Sequence, residues 1–143
     1  MDQYQTLTYL QNSLNTNAIY AFSTFFLLWV AFRFAGRLRD GDASMAGKIA
    51  CTLFGLLVIW QGLILFASRL YSLATAAKGL RSLKASGQTL SAQADGFLNT
   101  PFAPAAGVEP QFGVFADPAS VLFWLVATVM LLGVIWIPAK KKN

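Results

Sequence analysis

The sequence predicts an all-α integral membrane protein. Three transmembrane helices are expected, with an N-terminal interfacial helix and an amphipathic outer helix continuing from the second span. Apolar runs over 18–36, 49–68 and 119–139 each approach the roughly 20 residues that cross a bilayer's hydrocarbon core. Hydrophobic residues make up 56% of the 143 and charged ones 12%, with mean hydropathy +0.53, too apolar for a soluble domain of this size. The basic residues flank these runs: Arg33, Arg37, Arg39 and Lys48 around the first turn, Lys140, Lys141 and Lys142 after the last span.

Residues 1–17 are polar, with Tyr4, Leu7, Leu10 and Leu14 at helical spacing, which predicts a short interfacial helix. Asn12, Asn15, Thr16 and Asn17 offer capping groups for the first span, 18–36. The turn-rich segment 37–48 makes the first two spans antiparallel neighbours, with Asp42 or Ser44 as a cap for the second. In that span, 49–68, ten Leu, Ile, Val and Phe side chains between Leu53 and Phe66 each favour insertion by about 0.3–0.6 kcal/mol. No charge opposes them. Small residues recur at Ala43, Gly47, Cys51 and Gly55, a ridge that lets two helices in lipid approach closely.

No proline occurs before Pro101, so the second helix can run on into an outer helix over 69–95. Leu73, Ala76, Leu80, Leu83, Gly87, Leu90 and Ala94 alternate spacings of three and four, and the same register runs back through Gly62 to Gly55. Three readings compete for this heptad: a seam against a partner helix, a helix lying on the membrane surface, or a fortuitous pattern. Its weak residues argue against a free-standing coiled coil and favour packing on a larger neighbour. Residues 96–118, with Pro101, Pro104, Pro110 and Pro118 among aromatics, predict an ordered outer loop rather than a helix. Asp117, Pro118 and Ser120 then open the third span, 119–139. Trp124 and Trp136 near its two ends are the expected interface anchors, together with Lys140, Lys141 and Lys142 in the tail 140–143.

The distribution of Lys and Arg sets the expected orientation. The first 17 residues contain neither, which places the N-terminus outside and the C-terminus in the cytoplasm. Arg69, Lys78, Arg81 and Lys84 fall on the outer side, but long loops influence orientation weakly. No signal peptide with a basic n-region precedes the first run. The absence of a glycosylation sequon suits a bacterial inner membrane.

Chemistry is bounded mainly by what is missing. There is no histidine and Cys51 is the only cysteine, so His-ligated metal or haem sites, thiolate clusters and nucleophile–histidine catalysis cannot be built from this chain alone. All six carboxylates lie outside the spans, leaving no intramembrane proton relay. Asp40 and Asp42 read as a solvated turn rather than a cation site. Gln61 is the one strongly polar side chain deep in a span, suited to hydrogen-bonding a partner helix or a ligand.

The expected function is that of a non-catalytic accessory subunit in a larger membrane assembly, such as an oxidoreductase or energy-transducing complex. Gly47, Cys51, Gly55, Gly62 and Gln61 are the candidate helix-packing residues, and the heptad is the candidate partner face. No cofactor of its own is expected, only bound lipid. Expected partners are membrane lipids and other integral subunits, not nucleic acid. The competing class is a homo-oligomeric channel or transporter with Ser23, Thr24, Thr52, Gln61 and Thr128 along a shared path, although these provide no charged ring.

Overall fold

Four helices account for the fold of the computed structural model, which describes residues 2–41 and 44–137, with no strand among them. They are α1 (Gln3–Asp40), α2 (Met45–Ala85), α3 (Ala92–Leu98) and α4 (Pro118–Trp136). Helices α1, α2 and α4 are each long and apolar enough to cross a membrane, as a multi-pass membrane protein requires.

The helix ends follow from local chemistry. At the start of α1, Gln5 N–H donates to Asp2 Oδ1 at 2.7 Å and Asp2 N–H donates to Gln5 Oε1 at 3.1 Å. This reciprocal capping box satisfies two backbone donors. Nothing interrupts the helix after it, so the predicted N-terminal helix is not a separate element: residues 3–17 form the first part of one 38-residue helix. The turn is also shorter than the predicted 37–48. Helix α1 runs on to Asp40 with Arg37 and Arg39 in its last turn, where cations oppose the negative helix terminus. Ser44 accepts from Gly47 N–H at 3.2 Å as α2 begins. The alternative cap Asp42 and the first residue of the small-residue ridge, Ala43, like Lys140, Lys141 and Lys142, lie outside the described residues.

Helix α2 is continuous past residue 68, as the missing proline allows, but it stops at Ala85 rather than reaching 95. Gly87 adopts φ +86°. Its N–H bonds to Lys84 O at 3.1 Å, and Gln88 N–H reaches back to Leu83 O at 3.1 Å. These paired bonds around a left-handed glycine form a Schellman stop. Gly87 therefore ends the helix instead of continuing its seam. Leu90 falls in the following non-helical segment and Ala94 in α3. Helix α3 is itself a departure, since it carries regular structure across Gly96 to Leu98. Ser91 caps it by accepting from Ala94 N–H. Asp117 caps α4 by accepting from both N–H and Oγ of Ser120, with Pro118 in the first turn.

The residues divide into two compact units. The first combines Met1–Ile19 with Phe66–Ala116. Leu10, Leu73 and Ala76 form its buried cluster, against which Leu14 and Phe97 pack. Ser13 and Ser72 share a hydrogen bond at 2.7 Å, and Gln3 Oε1 accepts from Ser91 N–H at 3.0 Å. Leu10 and Leu14, expected on a membrane surface, are thus covered by protein. Three basic residues one turn apart on α2 hold the following segment. Lys78 pairs with Glu109 at 2.5 Å, Arg81 donates to Ala105 O at 3.2 Å, and Lys84 pairs with Asp95 at 2.6 Å.

The Lys84 hydrogen bond and charge hold the Asp95 carboxyl below its ordinary value of 3.8. A depressed carboxylate stabilises the fold above its unfolded value, and that contribution disappears as pH falls through the folded value. Amide-exchange protection of α3 is therefore expected to stay constant from neutral pH to about pH 4, then decline in stronger acid. Protection lost already between pH 7 and 5 would show that another group is responsible.

Candidate functional site

The second unit, Tyr20–Leu65 with Asp117–Asn143, contains the packing residues. Helix α2 is its most enclosed member: 39% of its most apolar stretch is buried, against 22% for α1 and 28% for α4. The other two spans therefore pack onto α2. On α1 the contact face is Thr24, Leu28, Ala31 and Ala35, all buried, at spacings of four, three and four. The buried Cys51 thiol lies 3.8 Å from Ala31 O. A Cβ built on Gly47 would lie 3.4 Å from Leu38, so Gly47 faces the end of α1.

The α2–α4 contact is closer. Ser120, Trp124, Ala127, Leu131 and Ile135 form the buried face of α4. A Cβ on Gly55 would overlap Leu131 Cδ2, and one on Gly62 would overlap the six-membered ring of the Trp124 indole. The glycines are seven residues apart, and so are the side chains they admit, in the opposite direction. This is an antiparallel helix pair in which two missing side chains receive two large ones, the close approach that drives association in lipid.

Trp124 is consequently a core residue, not an interface anchor. It is 2% exposed and stacks on Phe25 at 5.9 Å with an interplanar angle of 14°. Its indole N–H has no acceptor among the described residues, so packing and ring contacts rather than a hydrogen bond hold the ring. Trp136 differs. It is 42% exposed, donates from Nε1 to Thr52 Oγ1 at 3.2 Å, and has Lys48 Nζ 5.9 Å from its ring centroid. An amphipathic ring with a hydrogen bond and a nearby cation suits a membrane–water boundary.

The heptad is closed within the chain. Leu73, Ala76, Leu80 and Ala94 are buried, Leu83 and Leu90 are half-buried, and Gly87 is exposed. The face expected to meet another subunit is covered instead by Leu10 and Leu14 of α1 and by Phe97, because α1 is long enough to run beside it. The polar side chains proposed for a channel are mostly committed locally. Thr24 and Thr128 hydroxyls donate to Tyr20 O and Trp124 O of their own helices, and Thr52 accepts from Trp136. Gln61 is the exception. Its side chain is exposed and makes no hydrogen bond among the described residues. It stands on a face with Leu57, 68% exposed, and Trp60, 48% exposed.

A groove of about 340 Å³ lies between α1 and α2, lined by Val30, Phe34, Gly47, Ala50, Cys51 and Phe54. The sequence marked its floor through the small-residue ridge, but the walls, Phe34 and Phe54, become visible only in three dimensions. Among the described residues no three His, Cys, Asp or Glu side chains gather to hold a metal ion. Compared with models of known protein families, with curated proteins and with solved structures, the chain matches none.

Proposed function

We propose that this chain is a non-catalytic subunit of a larger membrane assembly, contributing a packing surface rather than chemistry. The observation that carries the reading is Gln61. Helix α4 has 19 residues, about 28 Å at 1.5 Å per residue, and so serves as a depth ruler. Trp124, opposite Gly62, is six residues from Pro118, which sets Gln61 about 9 Å or more inside the apolar layer. An amide at that depth cannot remain exposed to hydrocarbon without cost. A side-chain amide or hydroxyl from a neighbouring helix would satisfy it.

Other features support the same reading. Phe102, Phe112 and Phe115 of the first unit are each more than half exposed, apolar side chains that a partner could cover. Lys78, Arg81 and Lys84 are tied to their own loop, which removes most of the objection to an external N-terminus and a cytoplasmic C-terminus. A bacterial inner membrane remains the expected setting. The homo-oligomeric channel is the second reading, favoured by Gln61 alone, because an amide is self-complementary.

Extraction in mild detergent followed by native mass measurement tests the proposal. Co-purification with larger, unrelated subunits is expected. Gln61→Leu should weaken that association about 3- to 30-fold, the worth of one interhelical hydrogen bond in lipid, without altering the helicity of the chain. A closed ring of identical chains and nothing else would overturn the accessory reading in favour of the channel.

A further inference from the structure

We propose that the α1–α2 groove is a binding site for an anionic phospholipid, with one acyl chain along the groove and the phosphate at Arg37 and Arg33. The site is graded in polarity. On α1, Val30, Phe34 and Arg37 are spaced by four and three residues and share one helix face, with Arg33 at its edge. On α2, Gly47, Ala50, Cys51 and Phe54, spaced by three, one and three residues, likewise share one face. The two helices run antiparallel here, since Gly47 meets Leu38 and Cys51 meets Ala31. Arg37 therefore lies at the loop end of the groove, and Val30 and Phe54 about 10 Å further in. Charge at one end and apolar wall beyond it match the polarity of a phospholipid.

The two guanidiniums are available for this. Arg39 is paired with Asp40 at 3.3 Å. Arg33 and Arg37 are exposed and make no ion pair or hydrogen bond among the described residues. Guanidinium binds phosphate through two parallel hydrogen bonds. The groove's 340 Å³ sits at the low end of ligand clefts, about 300–1,000 Å³, too narrow for a helix and suited to a slender chain. Its floor is open because Gly47, Ala50 and Cys51 are small, and Phe34 and Phe54 form its sides. This site is independent of Gln61, although it rests on the same reading of α1 and α2 as membrane spans.

The test is native mass spectrometry of the full chain in detergent. Phosphatidylglycerol, phosphatidylcholine with the same acyl chains, and inorganic phosphate are each added. One phosphatidylglycerol per chain is expected to be retained in preference to phosphatidylcholine, with no retention of inorganic phosphate. Arg37→Gln should reduce that preference about fivefold, the effect of one basic side chain on anionic lipid. Ala50→Phe, which fills the groove from an exposed position, should lower retention of both lipids, and Arg39→Gln should change nothing. Equal retention of the two lipids, an unchanged preference in Arg37→Gln, or undiminished binding in Ala50→Phe would overturn the proposal. Because Arg37 is exposed, its variant reads the site without threatening the fold. A result against it leaves the association measured with Gln61→Leu unaffected.

Discussion

Gly62→Ala is expected to destabilise the chain by about 1–3 kcal/mol or more, the range for overpacking a close contact. The sign is not obvious beforehand, because alanine in place of a helical glycine ordinarily gains about 1 kcal/mol. Geometry decides it. The new Cβ would overlap Cζ2, Cε2 and Cη2 of Trp124, rigid ring atoms on a side chain that is 2% exposed and has nowhere to turn. At Gly55 the obstacle is Leu131 Cδ2, the end of a flexible side chain. Leu131 is itself fully buried, so Gly55→Ala should still cost stability, but less than Gly62→Ala, because a terminal methyl can turn where an indole ring cannot. Trp124→Phe removes the obstructing ring atoms and loses no hydrogen bond, since the indole N–H has none. Combined with Gly62→Ala it should restore much of the stability. Unfolding in mixed detergent micelles, followed by helical signal, measures all three. Gly62→Ala as stable as the parent, or Gly55→Ala costlier than Gly62→Ala, would refute this account of α2–α4 packing.

Leu80→Ala should cost about 2–5 kcal/mol through loss of buried methyl groups and the cavity left behind. Leu80 is fully buried, one turn along α2 from Ala76 of the buried cluster. The effect should be seen in the isolated chain as faster amide exchange over residues 73–98 and faster proteolysis of 86–117. The ring contacts of Phe25, Phe123 and Trp124 should be unaffected. A seam that faced another subunit would behave otherwise: truncating Leu80 would leave the isolated chain alone and weaken only its association. That second outcome would reopen the seam as a docking face.

Much of the fold was legible because its signals have few physical meanings. Uninterrupted apolar runs near 20 residues in length describe helices that can cross a membrane, and Asp117-Pro118 describes a helix start. The missing proline correctly foretold that α2 would run past residue 68. Misreadings came where one residue type serves two ends. Gly87 fits a seam position by spacing, yet its positive φ makes it a stop, and counting in sevens does not distinguish the two. Trp124 lies near a helix end, as an anchor would, and only the empty space at Gly62 draws it inward. Leu10 and Leu14 form the same apolar stripe whether lipid or Leu73 covers them. The small residues from Gly47 to Gly62 identified a contact surface, but pairing Gly55 with Leu131 and Gly62 with Trp124 required the three-dimensional arrangement.

The capped length of α4 has a further consequence. Helices α1 and α2 have 38 and 41 residues, about 57 and 62 Å, and each runs past the hydrocarbon layer into polar or charged stretches, such as that of Arg69, Lys78 and Arg81 on α2. Helix α4 has no such extension. The capping carboxylate of Asp117 marks one end of its 19 residues and Trp136 the other. At about 28 Å it matches a hydrocarbon layer near 30 Å with little allowance for tilt. In a thicker bilayer the lipid must compress around it, costing fractions of a kcal/mol per ångström. Hydrophobic mismatch is therefore felt first at this one helix, whose capped length leaves the least room for a thicker bilayer.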